Sequence, residues 1–107
     1  YKISLIDMAI LKVGTSQTLI ARANPARKRI TITFQSSQVD SSNTGQVFVG
    51  FGHQPQSVVS DPAAGYPIKQ SDVIERPRVG EELMPHEKLD IWAVSDTAAQ
   101  SLIIEEE

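Results

Sequence analysis

The chain contains no cysteine, and histidine occurs at only two positions, His53 and His86. The lack of cysteine excludes disulfide bonds, thiolate metal ligands and cysteine nucleophiles, and it leaves the redox compartment undetermined. A zinc site would need both histidines together with carboxylates from distant segments. Each histidine instead follows a residue common in exposed loops, Gly52 or Pro85. We therefore predict no metal site and no cofactor.

Long hydrophobic runs are also missing. Residues 3–13 are largely apolar, but Asp7 and Lys12 interrupt them, whereas a membrane-spanning helix needs about 20 apolar residues. The first residues of the chain do not have the pattern of a secretory signal peptide. We expect a soluble protein without a membrane partner.

The sequence patterns of common active sites do not occur. No Gly-x-Ser-x-Gly turn presents a serine nucleophile. Glu81 and Glu82 are adjacent, and adjacent strand residues point to opposite faces, so this pair is not placed to flank a glycosidic bond. Gly50-Phe51-Gly52 lacks the helix pattern and the Lys-Ser/Thr pair that follow the glycines of a phosphate-binding loop. We predict that the protein is not an enzyme.

Aromatic residues make up only 6% of the chain, and the net charge is -3 with a pI of about 5.3. Nucleic-acid-binding surfaces combine basic with aromatic residues, so we predict no nucleic-acid partner. The charge is uneven, because residues 1–29 carry six Lys/Arg and one Asp, whereas residues 81–107 carry one Lys and eight acidic residues. Two interpretations remain open: the oppositely charged ends are neighbours in the fold, or a basic and an acidic pole steer contacts between copies or onto a charged surface.

Short apolar or alternating runs recur along the chain with turn-forming residues between them, and no window of a dozen residues has the 3.6-residue period of a helix. This pattern predicts an all-β fold in a single domain, residues 1–107, with about eight short antiparallel strands that form a sandwich or a barrel. The candidate strands are Lys2–Asp7, Gln17–Ala23, Arg29–Gln35, Gln46–Phe51, Tyr66–Lys69, Glu82–Met84, Leu89–Ser95 and Gln100–Ile104.

The clearest of these strands follows a turn at Asn24-Pro25 and three consecutive cations. Its residues alternate strictly, with Ile30, Ile32 and Phe34 on one face and polar residues on the other. This stretch therefore contains, in succession, a turn, a cluster of positive charges and a strand with one face that is expected to be buried.

Two segments are predicted to lie at the surface. Residues 40–45 form a polar loop that is not expected to pack against the core. Residues 52–80 are irregular, with four prolines and three glycines, and proline removes a hydrogen-bond donor from a sheet. We expect this second segment to be loop or edge strand, and to wrap around the core rather than fill it.

The inward face of the run Leu89–Asp96 is ambiguous, because both alternating sets of residues contain apolar side chains. If Leu89, Ile91 and Ala93 face the core, Trp92 points outward and becomes an anchor for a partner. A second candidate contact is the basic cluster Arg27-Lys28-Arg29, with Arg22 nearby. Its positive charge favours a protein partner with acidic patches. The candidate interface residues are Arg22, Arg27, Lys28, Arg29, Tyr66 and Trp92.

Three segments in this order resemble a known class of protein. They are the turn Asn24-Pro25-x-Arg27-Lys28 leading into residues 30–34, the strand Val47–Gly52, and Leu89–Asp96 followed by residues 102–105. Together they resemble small tailed-bacteriophage virion proteins that carry a jelly-roll-like β-sandwich and serve as capsid decoration (cement) proteins or as parts of head fibres. The resemblance covers about residues 17–105, and the long proline-rich middle departs from it.

The resemblance implies a non-enzymatic virion structural protein on the capsid exterior, assembled in the host cytoplasm. Its partner would be the major capsid protein of the assembled phage head, and its own state would be a homo-oligomer, with a trimer as the hypothesis. The alternative is a low-copy head-fibre or tail-associated adhesin that binds host glycan, with Trp92 and Tyr66 stacking on sugar rings. An enzyme of cupin type would need a histidine-rich metal cluster, which two isolated histidines do not provide.

Overall fold

The computed structural model describes residues 7–56 and 65–107. Within these residues the chain forms eight β-strands and one short 3₁₀ helix at Pro85–Lys88. The strands are β1 (Asp7–Val13), β2 (Thr18–Ala21), β3 (Ile30–Thr33), β4 (Val47–Phe51), β5 (Tyr66–Ile68), β6 (Val73–Arg76), β7 (Ile91–Ser95) and β8 (Gln100–Glu106).

The strands build two four-stranded antiparallel sheets. Sheet A has the order β1-β8-β3-β6, and sheet B has the order β2-β7-β4-β5. The pairing is nested along the chain, because β1 pairs with β8, β2 with β7, β3 with β6 and β4 with β5. A long hairpin rolled into two layers has this order, which fits the predicted jelly-roll-like wrapping. The predicted all-β sandwich of short antiparallel strands is confirmed.

The strand ends fall into two groups. β2, β4 and β6 finish at one end of the sandwich, where β8 also finishes, and we call this the Arg27 end after a residue of the β2–β3 connection. The connections β1–β2, β3–β4, β5–β6 and β7–β8 lie at the other end, which we call the Gln100 end.

The core lies between the sheets and takes alternate residues from the strands, except in β2, where the adjacent Ile20 and Ala21 are both buried at a register irregularity. Ile30, Ile32 and Phe34 are all fully buried, as their spacing predicts. On β7 the inward residues are Ile91, Ala93 and Ser95, so Trp92 belongs to the outer face. The other buried hydrophobic side chains of this cluster are Val13, Ile20, Ala21, Val47, Val49, Phe51, Ile68, Leu102 and Ile104.

One predicted strand does not form, and one strand of the structure is not among the predicted strands. Residues 82–84 are not a strand, whereas Val73–Arg76 form β6, an edge strand of sheet A inside the segment that is predicted to be loop or edge strand. β6 is found there because Ile74 pairs with Ile32 and packs against the core, a long-range contact that local sequence does not reveal. The predicted strand Lys2–Asp7 lies outside the described residues except for Asp7, where β1 begins.

The polar loop at the Gln100 end corrects a prediction, because Asn43 is buried rather than exposed. Its Nδ2 donates to the carbonyl oxygens of Gln35 and Ser101, and its Oδ1 accepts from the Ser101 amide. The side chain of Gln100 is buried beside it and makes four hydrogen bonds, all to backbone atoms of the two neighbouring loops. Buried amides are tolerated when every polar atom is paired, so this loop packs.

Candidate functional site

Arg27 is buried, which corrects its place among the candidate interface residues. Its side chain has no exposed surface. Its guanidinium donates to the carbonyl oxygens of Arg22, Glu87 and Leu89, and its Nη2 lies 3.4 Å from Oε2 of Glu106. The charge of Arg27 can be buried because three carbonyl oxygens and one carboxylate accept hydrogen bonds from its guanidinium. Arg27 therefore holds the fold together and offers no guanidinium to a partner.

The turn around Asn24 extends this buried network. Asn24 accepts the amide of Arg27, and its Nδ2 donates to Glu106. Its own amide donates to the carbonyl of Lys88, and the neighbouring Ala23 amide donates to Asp90. The turn before β3 is thus fastened both to the last strand and to the segment that contains the 3₁₀ helix.

A second set of charged side chains, Glu87 with Arg76 and Glu81, also holds the 3₁₀ helix. The buried carboxylate of Glu87 pairs with Arg76 at the end of β6 and accepts the amide of Met84. Arg76 also pairs with Glu81 at 3.1 Å. Burial alone would raise the pKa of Glu87, but the hydrogen bonds from Arg76 and Met84 outweigh it, and the net pKa is lowered.

Residues 27–29 of the basic segment and residues 106–107 of the acidic segment are neighbours. The amides of Lys28 and Arg29 both donate to the carbonyl of Glu107, and the amide of Glu107 donates back to Arg29. Arg27 and Glu106 add the buried pair described above. This geometry favours the first interpretation of the charge distribution, in which the acidic and basic segments lie close together and partly neutralise each other's charge.

The other candidate interface residues are distributed over different surfaces. Arg22, Lys28 and Arg29 are exposed at the Arg27 end, and Arg29 lies 4.0 Å from Glu75 in an exposed ion pair. Tyr66 is 58% exposed at the start of β5, an edge strand. Trp92 is half-buried on the outer face of sheet B. The structure therefore does not bring the six predicted residues into one patch.

The outer face of sheet A carries an apolar row. Ile10, Ile103, Thr33 and Val73 are paired in register, so one residue from each of the four strands lies in a single line across the sheet. Ile10 is 67% exposed and Val73 is 54% exposed. Met8, 68% exposed, stands beside this row on β1. The solvent face of an antiparallel sheet is usually polar, so this row is unusual.

Charged side chains border the row. Toward the Arg27 end the next register line contains Glu105, Thr31 and Glu75, with Arg29 beside Glu75. Toward the Gln100 end Lys12 stands next to Ser101. We refer to Met8, Ile10, Ile103, Thr33 and Val73 with this charged border as the sheet A face. Its arrangement of an apolar centre and a polar rim is that of a protein–protein interface.

The outer face of sheet B is apolar too, but the chain covers part of it. Phe48 and Val94 form a small buried cluster there. After β4 the chain turns back over its own strand, so a side chain at Gly50 would overlap the carbonyl oxygen of His53 and contact Pro55. Pro55 is buried, and its carbonyl accepts a hydrogen bond from Gln17. The segment wraps around the sandwich, as predicted, at least over residues 52–56.

A small pocket opens at the Arg27 end, next to the edge strand β5. Its volume is about 190 Å³, and its lining residues are Val49, Phe51, His53, Gly65, Tyr66 and His86. The rings of Phe51 and Tyr66 meet edge to face, with centroids 6.0 Å apart and an interplanar angle of 89°. Both histidines of the chain thus line one pocket, although they lie in different connections.

Sequence reasoning missed the sheet A face and this pocket. The face had a signal, since Met8 and Ile10 alternate with Leu11 and Val13 on β1, and Ile103 is flanked by Leu102 and Ile104. Such runs place apolar residues on both faces of a strand. The pocket had no comparable signal, because its residues come from β4, β5, the connection between them and the 3₁₀ helix before β7.

The described residues contain no group of three or more His, Cys, Asp or Glu side chains that could hold a metal ion. No helix in residues 7–56 and 65–107 is long and apolar enough to cross a membrane. Comparison of the chain with protein-family models, with curated proteins and with solved structures finds no match. The likeness to phage virion proteins therefore stays a prediction.

Proposed function

We propose that the protein is a non-enzymatic capsid decoration (cement) protein that binds the assembled head of a tailed bacteriophage through its sheet A face. The observation that carries this proposal is the contrast between the two outer faces. The chain folds back over part of sheet B, whereas the apolar row of sheet A stays exposed. A row of mainly apolar residues with exposed side chains at Ile10 and Val73, bordered by charges, is typical of a surface that binds another protein.

The chemistry of the face suits binding to a repetitive shell. Burying the exposed parts of Met8, Ile10 and Val73 would contribute on the order of 1–2 kcal/mol each. A modest energy per copy is sufficient, because each copy that binds the assembled shell and not the free subunits stabilises the shell by mass action. The partner is the major capsid protein, contacted on the outside of the head.

A homo-oligomer, with the trimer as its specific form, belongs to the same proposal. Among the strands of the described residues, β1 and β6 are the edge strands of sheet A, and β2 and β5 are those of sheet B. β5 and β6 both come from the proline-rich segment, which supports that segment as a contact between copies. Light scattering of the purified chain at micromolar concentration gives the mass, and one chain per particle would argue against a preformed trimer.

The first experiment counts copies. Quantitative mass spectrometry of purified native particles gives the number of copies of this chain relative to the major capsid protein. A ratio near one per few shell subunits supports decoration. A handful per particle would favour the head-fibre or tail adhesin, and complete absence from particles would overturn the virion role.

A binding experiment then tests the face itself. Ile10→Lys places a charge in the exposed row at low cost to folding, because Ile10 points away from the core. We expect it to bind particles at least roughly tenfold more weakly, the effect of removing one buried anchor. Val79→Lys is the matched control, since Val79 is fully exposed and does not belong to the sheet A face. Equal binding by wild type and Ile10→Lys would contradict docking through this face.

The adhesin alternative relied on Tyr66 and Trp92 acting together on a glycan. In register, Tyr66 pairs with Val49, which faces the core, whereas Trp92 pairs with Gly50 on the outer face. The two aromatic side chains thus belong to opposite faces of sheet B and do not form one sugar platform. This placement is why decoration, and not adhesion, is our first proposal.

A further inference from the structure

The pocket at the Arg27 end has the size of one small ring. An apolar cavity of about 150 Å³ in another protein accommodates benzene. The pocket here measures about 190 Å³, so it has room for one six-membered ring with a few substituents. Its inner wall is apolar, made by Val49 and Phe51 at the end of β4.

Tyr66 offers the aromatic surface of this pocket. It is 58% exposed, and its ring is held by the edge-to-face contact with Phe51. Gly65, which precedes it, has a φ of +80°, and a side chain there would overlap the carbonyl oxygen of Val49. The glycine therefore lets β5 approach β4 closely enough for Tyr66 to reach the pocket.

Three polar groups accompany the apolar wall: the Tyr66 hydroxyl and the two imidazoles. Nδ1 of His53 lies 3.3 Å from the carbonyl oxygen of Phe51. When that nitrogen carries the proton it donates to Phe51, and Nε2 remains an acceptor. His86 and Tyr66 add groups that both donate and accept. A purely apolar ring would cover these groups without pairing them, which costs free energy.

The wall that carries His86 is rigidly placed. Arg27 donates to the carbonyl oxygens of Glu87 and Leu89, on either side of the end of the 3₁₀ helix. Gly52 packs against the same segment, and its amide donates to Asp90. A pocket whose walls are fixed before binding loses little entropy when a ligand enters.

From these features we infer that the pocket binds a single pyranose ring, with the C–H face of the sugar against Tyr66 and its hydroxyls paired to His53 and His86. An apolar ring face with hydroxyls around its edge matches an aromatic surface bordered by hydrogen-bonding groups. The site lies at the Arg27 end and uses none of the sheet A face. Sugar binding is therefore independent of docking onto a shell.

Saturation-transfer difference NMR on the isolated protein tests this inference. The probes are the methyl glycosides of glucose and galactose and N-acetylglucosamine, each at millimolar concentration. Para-cresol is added as a separate probe of an aromatic ligand. We expect transfer to at least one sugar, strongest at the protons of one ring face.

Three variants locate the binding. Tyr66→Ala should weaken it roughly tenfold, and His86→Ala should weaken it severalfold, because each removes one kind of contact. Val79→Ala is the control, since Val79 is exposed and does not line the pocket. All three positions are exposed, so the variants should fold, and their unfolding midpoints check this.

Each outcome of these measurements either supports or overturns the inference. Sugar signals that are lost in Tyr66→Ala and kept in Val79→Ala support the inference. Transfer to no sugar overturns it, as does transfer that both pocket variants leave unchanged. Transfer to para-cresol alone overturns it in favour of an aromatic ligand. Because no particle is present, none of these results depends on the proposed decoration role.

Discussion

Arg27 Nη2 and Glu106 Oε2 lie 3.4 Å apart, and they join the turn before β3 to the end of the last strand, 79 residues away. The Arg27 side chain is fully buried, whereas Glu106 keeps 21% of its side-chain surface. The same guanidinium holds the segment that carries the 3₁₀ helix. One side chain therefore ties three parts of the Arg27 end together.

We predict that Arg27→Ala destabilises the protein by about 3 kcal/mol, because it removes the donor to Oε2 of the partly buried Glu106 and to three carbonyl oxygens. The control is Lys28→Ala, an exposed neighbour of equal charge, which should change stability by no more than about 0.5 kcal/mol. Urea unfolding of both variants measures the difference. Similar losses in the two variants would contradict the structural role of Arg27.

Gln100→Glu should destabilise the protein by about 2–4 kcal/mol near neutral pH. The substitution keeps the shape but removes the Nε2 group that donates to Ser42 and Ala98, and it buries a charge. Burial raises the pKa of the new carboxyl in the folded state. The loss of stability relative to wild type therefore grows as pH rises through the carboxyl's unfolded pKa of about 4.3. Thermal unfolding at neutral pH and at about pH 4 should therefore show a smaller difference between variant and wild type in acid.

Gly50→Ala should cost about 1–3 kcal/mol, because the added methyl group would overlap the His53 carbonyl and force the covering segment away from sheet B. Gly14→Ala is a suitable comparison, since no atom lies within 4 Å of the added methyl group. Denaturant unfolding of both proteins gives the two changes. A neutral Gly50→Ala would mean that residues 52–56 do not lie on the sheet in solution.

Acid should weaken the Arg27 end through Glu87. The pKa of Glu87 is lowered in the folded state, so this carboxylate contributes stability above its unfolded pKa of about 4.3, and that contribution is lost as pH falls through the folded pKa. Glu87→Gln removes the titration, and its stability should fall less than that of wild type between neutral pH and about pH 3. Thermal unfolding across this range provides the measurement, and parallel pH curves would contradict it.

The sequence predicts the sandwich because strand alternation is a local property. Ile30, Ile32 and Phe34 are two residues apart, and any antiparallel sheet that buries one of them buries all three. The same reasoning limits Trp92 to an outer face once Ile91 and Ala93 are inward. The alternation within each strand requires no knowledge of distant residues, but the inward face of β7 does, because both of its faces carry apolar residues.

The site residues depend on contacts that the sequence does not record. Arg27, Lys28 and Arg29 are equivalent as a pattern, yet only Arg27 meets carbonyls from residues 60 and 62 positions away. Asn43 is buried because it pairs with Ser101, 58 residues along the chain. His53 and His86 line one pocket because β4 and the 3₁₀ helix end side by side. In each case a contact between residues far apart in the sequence determines where the side chain lies.

The place of β8 in sheet A has a consequence for biosynthesis. β8 lies between β1 and β3 and pairs with both, but it is the last of the described strands to leave the ribosome. Until then β1 has no partner in the sheet, and β3 has an open edge, both with apolar side chains. Sheet A is therefore completed only once translation has passed Glu106, and a nascent chain that stalls earlier exposes two strand edges to aggregation and to proteases.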